Sequence, residues 1–230
     1  MSGAGPVRRL FLWRHGQTAW NFEQRCQGHA DVPLDAEGLA QARAAAPLLA
    51  AERPDLIVTS DLSRASQTAR LLARETGLSV RVDARLRETG LGGWEGLTVA
   101  EVEAAFPEEW ARWRAGEVVR RGGGELRSEV AARALAAVAD LEGEVAVMVT
   151  HGGTAKVLLV GLLGLPEHLA TAFAPLANCH WTALRRLPGG WRLDGHNIGP
   201  HPERLPGDGG EPPALDAEDP AVLARDVPDL

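Results

Sequence analysis

Short apolar runs alternate with longer Ala- and Leu-rich stretches along most of the chain. Arg8 to Trp13 reads as a buried first strand, and Leu56–Ser60, Ser79–Val82 and Glu144–Thr150 as further strands. Cys179–Arg186 and Trp191–His196, separated by Pro188-Gly189-Gly190, read as a terminal hairpin. Between these runs lie helical stretches. Asp35 is placed to N-cap a helix reaching about Glu52, which Pro47 is expected to kink or break. Ser63–Thr76 reads as a second helix, and the residues after RHGQT as a partly helical loop. Thr98 and Glu101 form a capping box that opens a short helix to Phe106, and Pro107 favours a fresh start. Gly122-Gly123-Gly124 is expected to be a flexible joint before a helix over Ser128–Leu141, and Thr154–Leu163 is a strongly apolar helix. Strands alternating with helices predict an α/β fold: a three-layer α/β/α sandwich with a mostly parallel central sheet and a small helical cap insertion at about residues 91–127. The expected domain spans residues 1–198. Beyond it, residues 199–230 lose periodicity, and the acidic, Pro-rich composition predicts a disordered tail.

Charge changes this picture in one respect. The formal charge is -7, but Glu203, Asp208, Glu211, Asp216, Glu218, Asp219, Asp226 and Asp229 face only Arg204 and Arg225 in the tail, which leaves the domain near neutral. Overall acidity therefore does not exclude an anionic substrate. Two distant cysteines, Cys26 and Cys179, are no disulfide framework and suit a reducing cytoplasm. The amino-terminal residues lack the apolar stretch and cleavage site of a signal peptide, and no run approaches the roughly 18 apolar residues of a membrane helix. Neither a basic tail nor a base-stacking motif points to nucleic acid. The sequence leaves a homodimer open.

The chemistry is carried by residues that share one position in the fold. Arg14-His15-Gly16 follows the first strand, Arg64 follows the second, Glu88 the third, and His151-Gly152-Gly153 the fourth. In an open parallel sheet the carboxyl ends of the strands share an edge, where ligands bind. Two guanidinium forks, two imidazoles and one carboxylate at such an edge fit phosphoryl transfer better than acyl transfer. Helix N-termini there add N–H groups suited to an anion. Each residue has a plainer reading when taken alone: Arg14-His15-Gly16 as a polar strand end, Arg64 as a surface arginine, Glu88 as a loop carboxylate with Glu95 as its rival. The other histidines, His29, His168, His180, His196 and His201, have no metal-site spacing and are read as structural or solvated.

RHGQTAWN, QGHADVPLDAEGLAQA, SDLSRASQTA, LRETGLGGWEGLT and VTHGG occur in the order found in the histidine phosphatase superfamily, which includes cofactor-dependent phosphoglycerate mutases. The chain resembles that family over most of Arg8–Asn197. The resemblance implies that His15 is the nucleophile, that Arg14, Arg64 and His151 hold the transferring phosphoryl group, and that Glu88 is the proton donor. It also implies that Gly16, Thr18, Asn21, Gln27, Gly28 and Gly152 complete or flank the phosphate pocket. No metal and no other cofactor is expected, since positive side chains already face the phosphate. Like-charge repulsion from that phosphate should disfavour the ionised form of Glu88, which predicts activity at mildly acidic to neutral pH. The compact GLGGWEGLT segment resembles the phosphatase branch rather than the mutases. The runs IVTSDLSRA, VRVDARLRETGLGGWEGLT and NCHWTAL are similar to phosphatases of glucosyl-3-phosphoglycerate. The expected activity is hydrolysis of a small phosphomonoester. A mutase-type phosphotransferase and a non-catalytic phosphate-binding module are the alternatives.

The segment from Leu91 to Arg127, with Trp94, Trp110, Trp113, Arg112, Arg114, Arg120 and Arg121, has two readings. It is either an amphipathic cap with solvated arginines or a lid whose arginines select the leaving group.

Overall fold

The computed structural model describes residues 6–200. Six strands form one sheet: β1 (Arg9–Arg14), β2 (Leu56–Thr59), β3 (Val80–Val82), β4 (Val145–Thr150), β5 (Trp181–Leu187) and β6 (Gly190–Ile198). Their spatial order is β3-β2-β4-β1-β5-β6. The four strands from β3 to β1 run parallel, and the terminal hairpin adds β5 and β6 antiparallel.

The apolar strands are covered on both faces, which is why they read as continuous runs rather than alternating ones. Phe11 and Trp13 of β1 and Val147 and Val149 of β4 pack under α2 (Ala36–Ala51) and α3 (Ser63–Thr76). Leu10, Leu12, Ala146 and Met148 point the other way, against α6 (Arg127–Ala139) and α7 (Gly152–Leu162). The result is three layers. Asp35 starts α2 by accepting from the Gly38 N–H at 2.7 Å. At the start of α3, Asp31 accepts from both the N–H and the hydroxyl of Ser63. Pro47 does not break α2: the helix runs through it, because Ala45, Ala46 and Leu49 are fully buried around it and that packing outweighs one lost backbone bond.

Between β3 and α6 the chain leaves the sheet. A 3-10 turn at Gly92–Trp94, helices α4 (Val99–Ala105) and α5 (Pro107–Arg114), and a turn at Arg121–Gly123 enclose a separate cluster of Cys26, Leu91, Trp94, Val102, Trp110 and Trp113. Trp94 is its centre, with ring centroids of Trp113 and Trp110 at 5.5 and 6.0 Å. The Thr98–Glu101 capping box forms, and Pro107 opens α5. Gly122-Gly123-Gly124 is not a flexible joint. Gly122, at φ 57°, lies so close to the backbone of Leu91, Gly93 and Trp94 that a Cβ there would stand 2.5 Å from the Gly93 nitrogen and 2.6 Å from that of Trp94. The glycines let two turns dock backbone to backbone.

Among the described residues no helix is long and apolar enough to cross a membrane. The acidic tail expectation falls on residues that, except for Gly199 and Pro200, lie outside the described residues, as does His201.

Candidate active site

The register of β1 against β4 sets the site. Arg14 lies opposite Thr150, so the next residues, His15 and His151, emerge side by side from adjacent strand ends. Their ring centroids are 5.1 Å apart in an edge-on arrangement. Both rings are buried, His15 at 3% exposure and His151 at 0%. The His15 backbone is anchored by its N–H to Thr150 O and by its carbonyl, which accepts from Cys179 N and, at 3.0 Å, from Asn178 Nδ2.

Hydrogen bonding assigns the two tautomers. His15 Nδ1 lies 2.7 Å from Gly16 O, an acceptor only, so Nδ1 carries the proton and Nε2 keeps its lone pair. His151 Nδ1 accepts from Arg64 Nε at 3.2 Å, so its proton is on Nε2. That Nε2–H is fully buried and has no hydrogen-bond partner among the described residues. A buried donor left in this state costs about 1–3 kcal/mol, which a ligand oxygen would recover. Burial, then Arg64 and Arg14, hold the His15 pKa well below the ordinary histidine value. Burial, Arg64, His15, Arg14 and Arg133 do the same for His151. At neutral pH both rings are therefore neutral, His15 with its Nε2 lone pair and His151 with an Nε2–H.

The arginines are held from behind. Arg64, in the first turn of α3, donates Nη1 to Ala30 O at 2.7 Å and Nη2 to Gly28 O at 2.8 Å. Arg14, the last residue of β1, donates Nη1 to Leu176 O at 2.6 Å. Gly28 thus meets Arg64 through its carbonyl. Gly16 must be glycine because a Cβ would collide with the Gly38 backbone, its carbon at 2.9 Å.

Thr18, Asn21 and Gln27 form one network. Thr18 N-caps α1 (Ala19–Phe22), with Oγ1 accepting from Asn21 N and lying 3.0 Å from Gln27 Oε1. Asn21 Oδ1 accepts from Thr18 N at 3.2 Å. With both amide oxygens turned to Thr18, the two –NH2 groups are the ends that can donate elsewhere.

Glu88 reaches the start of α7. Its Oε1 accepts from Thr89 N at 2.8 Å and Thr154 N at 3.0 Å, and its Oε2 from Gly153 N at 3.0 Å. The carboxyl group therefore sits one residue from Gly152 and two from His151. Its rival Glu95 does other work: Oε1 accepts from His29 N and Leu91 N, tying the QGHA loop to the base of the cap.

Three residues escaped the sequence reading. Arg133 donates to the carbonyls of Arg85, Arg87 and Glu88, and pairs with Glu125. Thr154 ties its hydroxyl to Arg87 O. Asn178 holds the carbonyl of His15. Each acts on backbone far away in sequence, and no motif spacing signals that; only the NCH run at Asn178 offered a hint. Of the cap arginines, Arg112 pairs with Glu117 and Arg120 with Glu129 on the surface, whereas Arg121 is buried beside Trp113. Burial raises the Cys179 thiol pKa, which leaves it a poor nucleophile.

The model of the histidine phosphatase superfamily (branch 1) matches residues 10–199. Glucosyl-3-phosphoglycerate phosphatase of Mycobacterium tuberculosis is 42% identical over 208 residues, covering 82% of this chain and 93% of that protein. A probable phosphoglycerate mutase of Yersinia enterocolitica is 36% identical over 196 residues, covering 81% and 89%. The solved structure of a mycobacterial glucosyl-3-phosphoglycerate phosphatase with VO3 superposes with a TM-score of 0.77 at 43% identity, over 84% of this chain and 100% of the other.

Proposed function

The chain belongs to the histidine phosphatase superfamily and is a phosphatase, and we propose that it hydrolyses small phosphomonoesters through a phosphohistidine on His15. The observation that carries this reading is the tautomer pair: His15 Nε2 has a lone pair, and the adjacent His151 offers Nε2–H. In the first step His15 Nε2 attacks phosphorus, the N–P bond forms and the P–O bond to the alcohol breaks. Glu88 passes its proton to the departing oxygen. In the second step Glu88, now a carboxylate, takes a proton from water as the water oxygen attacks phosphorus and the N–P bond breaks. Inorganic phosphate leaves and His15 is again neutral. Arg14, Arg64 and the His151 Nε2–H face the oxygens on which charge is spread in both transition states. The –NH2 groups of Asn21 and Gln27 and the backbone at Gly16, Gly28 and Gly152 close the pocket around them.

Glucosyl-3-phosphoglycerate is the substrate we favour, supported by the names of the mycobacterial relatives. Phosphate release should be followed across glucosyl-3-phosphoglycerate, 3-phosphoglycerate, phosphoserine and sugar phosphates, with chelator present and His15→Ala as control. Selective, His15-dependent release supports the reading. Similarity to a probable mutase keeps one second reading in view; isomerised product without phosphate release would establish it instead. Absence of a trapped phosphohistidine together with absence of release would leave only ligand binding.

A further inference from the structure

Glu88 is gripped at both ends. Its carboxyl oxygens accept from Thr89 N and from Gly153 N and Thr154 N at the start of α7. Its backbone carbonyl accepts from two side chains brought by different segments, Arg133 Nη2 of α6 at 2.8 Å and His29 Nε2 of the QGHA loop at 2.9 Å. A carbonyl oxygen only accepts, so His29 carries its proton on Nε2.

Arg133 has no donor to spare. Its five N–H groups meet the carbonyls of Arg85, Arg87 and Glu88 and the two oxygens of Glu125. It ties the residues up to Glu88 to α6 and reaches no further. His29 does something different. The residues on either side of it, Gly28 and Ala30, give their carbonyls to Nη2 and Nη1 of Arg64, and its own N–H is held by Glu95 Oε1 at 2.8 Å. Three consecutive residues therefore touch both halves of the site. The backbone of two holds a phosphate-binding guanidinium, and the side chain of the third holds the carbonyl of the proton donor. The ring is closely fitted: a Cβ on Gly90 would stand 3.3 Å from His29 Cε1, and Glu125 Oε2 lies 3.5 Å from His29 Nε2.

Arg64 and Glu88 serve the same phosphoryl group, and a general acid works only within hydrogen-bond reach of its oxygen. We propose that His29 is a positioning residue that sets Glu88 relative to the bound phosphoryl group, by tying the Glu88 carbonyl to the loop that holds Arg64. The inference rests on Glu88 being the proton donor and adds what keeps that donor in register. His29 acts through Glu88 rather than on the substrate.

Two substitutions test it. His29→Leu removes the donor, whereas His29→Gln keeps an amide nitrogen near the place of Nε2. The readout is kcat/KM for two esters. One is whichever of glucosyl-3-phosphoglycerate, 3-phosphoglycerate or a sugar phosphate is hydrolysed fastest, since its alkoxide needs a proton. The other is p-nitrophenyl phosphate, whose leaving group does not. His29→Leu is expected to lower the first by about 10- to 100-fold, the scale of a catalytic group misplaced by up to about 1 Å, and the second by no more than about threefold. His29→Gln should restore the ratio. Inorganic phosphate should inhibit His29→Leu as it inhibits wild type, because backbone carbonyls still hold Arg64. In a Glu88→Gln background, His29→Leu should change the ratio no further, since the group it positions is gone. Equal losses on both esters, as a merely structural histidine would give, overturn the proposal. So do a ratio that Gln does not restore, weakened phosphate inhibition, or full additivity with Glu88→Gln. Loss of folded protein cancels in the ratio, and if His29→Leu does not fold, His29→Asn, too short to reach the carbonyl, takes its place. If Glu88→Gln itself lowers both esters alike, the acid role falls and the positioning role with it. If Glu88→Gln is selective and His29→Leu is not, only the positioning role falls. His15-dependent hydrolysis of p-nitrophenyl phosphate keeps the phosphatase reading standing in either case.

Discussion

Replacing Glu88 with Gln separates its chemical role from its structural one. Three backbone N–H groups point at its carboxyl oxygens, two at Oε1 and one at Oε2. An amide placed there must turn its –NH2 toward one of those oxygens' positions. With the nitrogen at Oε2, one hydrogen bond is lost and two donors face each other; with the nitrogen at Oε1, two are lost. The variant should therefore lose about 1–3 kcal/mol of folding stability, the cost of a donor left unsatisfied in a buried place. The catalytic loss is distinct, about 10²–10⁴-fold for removal of a general acid. It should depend on the leaving group, because an alkoxide needs the proton and a nitrophenolate departs without it. In kcat/KM, which covers steps up to departure of the alcohol, an alkyl phosphate should lose that full factor. p-Nitrophenyl phosphate should stay within about tenfold of wild type. Turnover of the aryl ester should still slow, since in the proposed mechanism Glu88 also activates water, and rapid quenching should show a burst of nitrophenolate with phosphohistidine accumulating. Urea denaturation supplies the stability arm. Equal kcat/KM losses on alkyl and aryl esters would refute the acid role and reduce Glu88 to a cap on α7.

Three further outcomes follow from the geometry. The folded pKa values of His15 and His151 lie below the unfolded value near 6.5, so the unfolded state binds more protons once pH falls through that value. Stability should then decline on acidification by up to about 1.4 kcal/mol per pH unit for each ring, and Tm measured from pH 7 to 5 should fall less steeply in His151→Gln. Gly122→Ala and Gly123→Ala impose positive φ on neighbouring alanines, at 57° and 77°, but only the first meets backbone atoms; Gly123 has open space around it. Gly123→Ala should cost about 1–2 kcal/mol and Gly122→Ala clearly more, and equal denaturation midpoints would contradict the docking of the two turns. Trp94→Ala, at the centre of the cap cluster, should cost about 3–5 kcal/mol, and a loss below 1 kcal/mol in calorimetry would show that the cluster is not a packed core.

Much of the site is legible because its residues sit next to their structural cause. His15, Arg64 and His151 each follow an apolar run that reads as a strand covered on both faces, whereas Glu88 follows the short, exposed edge strand β3; parallel strands end on one edge. The helix starts at Asp35, Thr98 and Pro107 are equally local, since a cap needs only its own first turn. The break allowed for at Pro47 and the looseness expected of Gly122-Gly123-Gly124 failed for the same reason in reverse. The intrinsic tendency of these residues to break or loosen the chain is real, and buried neighbours from elsewhere overrode it.

By itself the sequence determined the layers, the order of strands and helices along the chain, and which side chains are candidates for phosphoryl chemistry. Only the tertiary structure decided how those side chains work together. The pairing of Arg14 with Thr150 sets the two imidazoles edge-on to each other, and the Gly16 carbonyl and the Arg64 guanidinium give them opposite tautomers. Arg120 and Arg121 are adjacent in sequence, yet Glu129 draws one to the surface while the cap buries the other. Arg133, Thr154 and Asn178 support the site by holding the backbone of distant segments. A backbone carbonyl is the same group at every position of the chain, so nothing in the sequence marks which one a donor will meet until the strands have paired.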